Sequence, residues 1–194
     1  MPVKIFFNKN LISYLLKFII CFCILYYGSL AVIGLSSPGG YYSSFVHDYL
    51  NYIATLRFIL LYSSKLLLAI FGYTTFMDGM YTVRMQGGYG VHLVYSCLGI
   101  GVMSFWTAFI FANKVRWQKK IKWTVVGLVA IFFINVMRVS LLLVAVNSKW
   151  SNPLNLDNHF LFNIAAYILI FIMIYLFDRS EKIIVKKKDN SLTN

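Results

Sequence analysis

The chain has 194 residues, 60% of them hydrophobic and only 12% charged, with a mean hydropathy of +0.72 and a formal net charge of +12. An ordinary soluble domain carries about 25% charged residues, so this composition excludes one. Several apolar segments approach the roughly 20 residues that cross a bilayer, and the chain reads as a single integral membrane domain. Its positive charge does not point to nucleic acid, because it gathers in three clusters: Lys4, Lys9 and Lys17; the loop Lys114–Lys122; and the tail Arg179–Lys188. Such clusters orient membrane helices by the positive-inside rule and attract anionic lipid. Membrane lipids are therefore expected partners.

The first apolar run, Leu11–Leu35, is long and lacks a small-residue exit, so it reads as a retained span and not a cleaved leader. Cys21 and Cys23 inside it are two residues apart, which faces them away from each other on a helix, and they read as small packing residues. The next segment, Tyr52–Tyr73, is apolar enough to span yet carries Arg57 and Lys65. It either re-enters or lies along the outer leaflet, or Tyr41–Tyr52 supplies a further short crossing. Thr74–Cys97 is β-branched and aromatic around Gln86-Gly87-Gly88 and predicts a short hairpin at the outer surface.

Three more spans follow: Leu98–Ala112, Trp123–Val146 and Phe160–Phe177. The basic loop between the first two of these, and both termini, belong in the cytoplasm. The predicted fold is an all-α integral membrane helical bundle of about four to six transmembrane segments, with a short extracytoplasmic β-hairpin-like insertion before Cys97. Residues 1–51 form the N-terminal span and outer loop, 52–178 the core with the candidate site, and 179–194 a basic cytoplasmic tail.

Arg138 lies within the apolar run Trp123–Val146, which contains no Asp or Glu. A guanidinium keeps its proton, and placing one in a bilayer costs roughly 2.5–3.5 kcal/mol on insertion scales. A chain that bears this cost generally uses the charge. Topology puts Arg138 about 12 Å below the outer mouth at 1.5 Å per residue. Cys97, at the start of a descending span, and His159, which opens the last span, share that side of the membrane. A thiolate is the reactive form of cysteine and is favoured at a helix start or beside a cation. A fixed cation suits an oxyanion, and an imidazole can relay the proton to a leaving amine. The trio Cys97, Arg138 and His159 fits acyl transfer through a thioester. Asn135, one turn before Arg138, either orients the guanidinium or ties two helices together. His92 is a weaker rival to His159, since strand alternation would turn it away from Cys97. His47, beside Asp48, is weaker still. No His-Glu-x-x-His or Gly-x-Ser-x-Gly pattern is present, and neither metal nor cofactor is expected.

The stretches "YSCLGIG" around Cys97, "NVMR" ending at Arg138 and "LDNHF" around His159 resemble the exosortase/archaeosortase family of membrane cysteine transpeptidases, over about Gly72 to Phe177. On that resemblance Cys97 and Gly99 correspond to the family's Cys-x-Gly, Arg138 to its intramembrane Arg, and His159 to its third site residue. The resemblance implies cleavage of exported proteins that carry a C-terminal motif, a transmembrane helix and a basic tail. It further implies transfer of the new C-terminus to a lipid or glycan acceptor, at the outer face of the cytoplasmic (inner) membrane.

Two other readings use the same residues. In a non-enzymatic carrier or lipid-binding subunit, Arg138 would bind an anion; in a membrane scaffold, a partner helix would bury it. A carrier would lose function with Arg138→Ala and be indifferent to Cys97→Ser, whereas a cysteine enzyme depends on Cys97.

Overall fold

A computed structural model of the chain describes residues 9–37, 41–148, 164 and 167–180. By its internal contacts the chain divides into two compact units, 1–150 and 151–194.

The first unit opens with α1, Lys9–Ser36, a helix whose long run of Leu, Ile and Phe has no Gly or Pro before Gly28 to interrupt it. Beyond Ser36 the chain doubles back: Ser43 N–H donates to Leu35 O at 2.9 Å, and a single wide turn, Val46–Leu50, packs on α1. Asn51 then caps α2, Tyr52–Ile70, its side-chain oxygen accepting from Ala54 N–H at 3.1 Å. That satisfies one of the donors that a helix start leaves unpaired. Tyr52 Oη is 2.7 Å from Ser29 Oγ, so α2 starts about 10 Å before the end of α1 at 1.5 Å per residue. At its other end Tyr73 N–H donates to Leu68 O and Gly72 N–H to Ala69 O, a Schellman closure, and the chain passes directly into a sheet. α2 thus begins beside Ser29 of α1 and ends at the sheet.

The sheet has three antiparallel strands in sequence order: β1, Thr75–Met77; β2, Thr82–Met85; and β3, Gly90–His92. Residues β-branched or aromatic in alternation give it two faces. Met77, Val83 and Val91 align across the strands toward the core, while Phe76, Arg84 and Gly90 align on the other face. Gln86-Gly87-Gly88 makes the β2–β3 turn, and in place of the expected hairpin the chain forms a three-stranded sheet. A short 3-10 turn, Tyr95–Leu98, leads to α3, Ile100–Ala112. After a four-residue connection α4 runs from Trp117 to Asn147. It starts six residues before the expected span and takes up six of the nine residues of the basic loop Lys114–Lys122.

Three of these helices, α1, α2 and α4, are long and apolar enough to cross a membrane; α3, with 13 residues, is shorter. α1 packs on α3 and α4 packs on both α2 and α3. The α3–α4 contact is close because Gly127 presents no side chain: a Cβ there would collide with the Trp106 indole, whose Nε1–H donates to Trp123 O at 2.9 Å. At the basic end Lys114 Nζ donates to Asn10 Oδ1 at 3.0 Å and Lys120 Nζ to Phe111 O at 2.7 Å. The ammonium groups thereby satisfy oxygens near the ends of α1 and α3. The sheet occupies the opposite end.

The core lies between α2, the sheet and α4. Ile53, Leu60, Leu61 and Leu68 form one stripe of α2, and Val136, Val139 and Leu143 one stripe of α4, each at the helical period. Val83, Val91, Leu93 and Leu98 fill the space between them.

In the second unit, residues 167–180 are helical, with Ile170, Met173 and Phe177 buried along one stripe. They cover the later part of the expected Phe160–Phe177 span; its first four residues lie outside the described ones.

Candidate active site

Cys97 is the third residue of the 3-10 turn, half-buried, its N–H donating to Val94 O at 2.9 Å. The next residue, Leu98, is fully buried in the core and anchors the turn. Gly99 then caps α3 in the left-handed region, φ 73°. An L-residue pays roughly 1–2 kcal/mol for that conformation. A side chain there would also run into the Asn135 amide nitrogen. Gly99 is therefore required twice, once by its own backbone and once by the approach of α4.

α4 reaches this turn with two side chains three residues apart, a spacing that places them on one helix face. Asn135, 5% exposed, donates from Nδ2 to Leu98 O at 3.3 Å. Arg138 donates from Nη2 to Cys97 Sγ at 3.8 Å. The amide thus holds the backbone that carries the thiol, and the guanidinium touches the sulfur itself. The arrangement can favour a thiolate and can present a cation to negative charge that develops beside it.

The face of α4 that makes these contacts is set by two further ties. Ser64 of α2 donates to Leu60 O at 2.8 Å and to Val136 O at 3.4 Å, and Ser140 donates to Ser64 O at 3.4 Å. Inside an apolar bundle such hydroxyl–carbonyl bonds fix the rotation of one helix against another. At the end of α4, Asn147 accepts from Tyr89 N–H at 2.7 Å and donates to Tyr89 O at 3.2 Å, pairing with the β2–β3 turn as a strand would.

Of the residues singled out from sequence, the structure brings together Cys97, Gly99, Asn135 and Arg138. His159 lies outside the described residues. His92 turns away, its Nδ1 2.9 Å from Thr82 Oγ1 across the β2–β3 pair. The strand ends there, so the alternation expected over Tyr89–Cys97 stops five residues before the thiol. His47 Nδ1 is 2.9 Å from Asp48 Oδ1, and both are exposed. Cys21 and Cys23 are free thiols on α1. Among the described residues no group of three His, Cys, Asp or Glu is gathered as metal ligands would be.

Sequence reasoning passed over Asn147 and Arg57. Nothing marks Asn147, which looks like the first residue of a polar loop. Arg57 carries the same signal as Arg138, a permanent charge in an apolar run.

A thiol on the turn before α3 and a guanidinium on α4 in contact, in a bundle with three helices long enough to cross a membrane, define a membrane protein with a candidate cysteine site. The family model for transmembrane exosortases matches residues 13–177, and the chain belongs to that family, one of cysteine transpeptidases known for processing sorting signals. No match was found among curated proteins or among solved structures.

Proposed function

We propose that this chain is a membrane-embedded cysteine transpeptidase that cleaves C-terminal sorting signals of exported proteins at the outer face of the cytoplasmic membrane. The observation that carries the reading is the 3.8 Å contact between Arg138 Nη2 and Cys97 Sγ. Lys114, Lys119, Lys120 and Lys122 at the far end of the bundle support the orientation, since basic loops stay in the cytoplasm. That leaves the sheet and Cys97 facing outward.

In this mechanism His159 takes the Cys97 proton, and the thiolate adds to the scissile carbonyl carbon as the carbonyl electron pair moves to oxygen. Arg138 neutralises the oxyanion beside the sulfur. The C–N bond then breaks, His159 returns the proton to the departing amine, and a thioester joins the substrate to Cys97. An amine or hydroxyl of a lipid or glycan acceptor, or water, attacks that thioester. Its proton passes through His159 to the departing sulfur, and the thiol is restored.

The substrate the site fits is a protein tail with a short motif, an apolar helix and a basic cytoplasmic end. Its helix would lie beside the bundle, with its basic end at the Lys114 level and its motif at Cys97. Intact-mass measurement after exposure to such a tail peptide tests the proposal. The expected result is an acyl adduct on Cys97 that is absent in a folded Cys97→Ala variant. Normal processing by Cys97→Ala would end the idea; loss of lipid or anion binding in Arg138→Ala with a silent Cys97→Ser would favour the carrier.

A further inference from the structure

The second arginine in an apolar helix lies outside the site just described. Arg57 of α2 is 4% exposed, and its Nε has no hydrogen-bond partner among the described residues. Its guanidinium carbon is 4.2 Å from the ring centroid of Tyr81 and 4.0 Å from that of Tyr95. Both are within the roughly 6 Å at which a cation is held over an aromatic face. A guanidinium is planar and weakly hydrated, so it stacks against rings in a way that a compact ammonium does not.

The positions of the two tyrosines give this clamp a use. Tyr95 opens the 3-10 turn that carries Cys97 two residues later. Tyr81 ends the β1–β2 connection, and its carbonyl accepts from Leu93 N–H at 2.9 Å. Leu93 and Leu98 are buried in the core, but Val94, Tyr95 and Ser96 between them are exposed. The turn is therefore pinned at both ends and presents an open stretch immediately before the thiol. Arg57 holds the middle of that stretch through Tyr95 and its start through Tyr81 and Leu93.

We infer that Arg57 is a positioning residue for the nucleophile. Acting through Tyr95 and Tyr81, it keeps the Cys97 turn within reach of Arg138 and makes no contact with substrate. The inference rests on Cys97 being the nucleophile, and the test separates the two.

The full-length protein with Cys21→Ser and Cys23→Ser keeps Cys97 as its single thiol, since the chain has three cysteines. Two quantities are measured per folded molecule: kcat and KM for a tail peptide, and the rate of Cys97 alkylation by a small maleimide. Arg57→Met and Tyr95→Leu should each lower kcat about 10²-fold with KM nearly unchanged, the loss that a misplacement of about 1 Å can cause. Each should also shift the alkylation rate several-fold, and the double variant should lose little more than either single one, as partners in one contact do. Tyr95→Phe, which keeps the ring, should stay close to the parent. Unchanged kcat and alkylation in folded Arg57→Met and Tyr95→Leu would overturn the inference and leave Arg57 a purely structural charge. Tyr95→Phe falling as far as Tyr95→Leu would overturn it as well. If Arg57→Met does not fold, the two Tyr95 variants decide. A parent that alkylates but processes no tail peptide sinks the transpeptidase reading, while the clamp is still judged by alkylation.

Discussion

The corner formed by α2, the sheet and the C-terminal half of α4 differs from the α1–α3 pair in how it is held. α1 and α4 are both strongly apolar helices, yet only 6% of the most apolar window of α1 is buried, against 33% for α4. α1 meets α3 through an aromatic edge, Phe18 5.3 Å from Phe105, while Phe22 stacks on Tyr26 of α1 itself at 5.6 Å. Most of its Leu and Ile are exposed, while Leu25, Ile33 and Leu35 are half-buried. The corner instead joins an apolar core to directional bonds from Ser64, Asn135, Ser140 and Asn147. In lipid, apolar burial hardly distinguishes a protein neighbour from a lipid tail, and polar bonds and close packing choose partners. The corner has its polar bonds around the Cys97 turn and the sheet, whereas those of the α1–α3 pair lie chiefly at its basic end, where Lys114 meets Asn10 and Lys120 meets Phe111.

The largest test of this contrast falls on Arg138. Replacing it with Met should leave a folded bundle and lower kcat by about 10²–10³, the range lost with one oxyanion-stabilising donor. Arg138→Lys should recover part of that, because it restores charge without the planar fork. A near-normal kcat in Arg138→Met would mean that the contact with Cys97 is packing alone. Gly99→Ala comes next. The left-handed backbone alone costs about 1–2 kcal/mol, and the new methyl would displace the Asn135 amide. A lower Tm should accompany lost processing, and adding Asn135→Ala should restore part of the stability by removing the collision. Failure of that partial rescue would show that the backbone conformation, not the approach of α4, is what Gly99 serves.

The helices were legible because lipid imposes long apolar runs, and the Cys97 and Arg138 positions because a charge in such a run demands a reason. Two kinds of feature were not legible. The extra strand β1 is only three residues long, and its pairing with β2 depends on the return from α2, which no local pattern announces. α2 itself kept two interpretations open because hydropathy gives length but not direction. Its bond from Tyr52 to Ser29 and its contacts with the sheet fix where its two ends sit against the other elements. Asn147 was hidden for a related reason: a polar residue at a helix end has water as its default partner. Only the returning β2–β3 turn makes it a structural tie.

Smaller effects sharpen the boundary between the two regions. Asn147→Leu removes two bonds to Tyr89. Each is worth about 0.5–1.5 kcal/mol net where buried, but Tyr89 is exposed and water can replace the asparagine. A loss of about 1 kcal/mol in thermal or denaturant unfolding is expected, with faster hydrogen exchange confined to the sheet.

The opposite case is Leu16 of α1, which is 58% exposed. Leu16→Ala leaves no cavity inside the protein, and substitutions at exposed sites usually stay within about ±0.5 kcal/mol. The same truncation at Leu98, fully buried beside Cys97, should cost about 2–5 kcal/mol and disturb the thiol with it. Equal losses at the two leucines would mean that α1 packs against protein along its apolar face. The contrast between an exposed apolar pair and a bonded corner around Cys97 would then have to be redrawn.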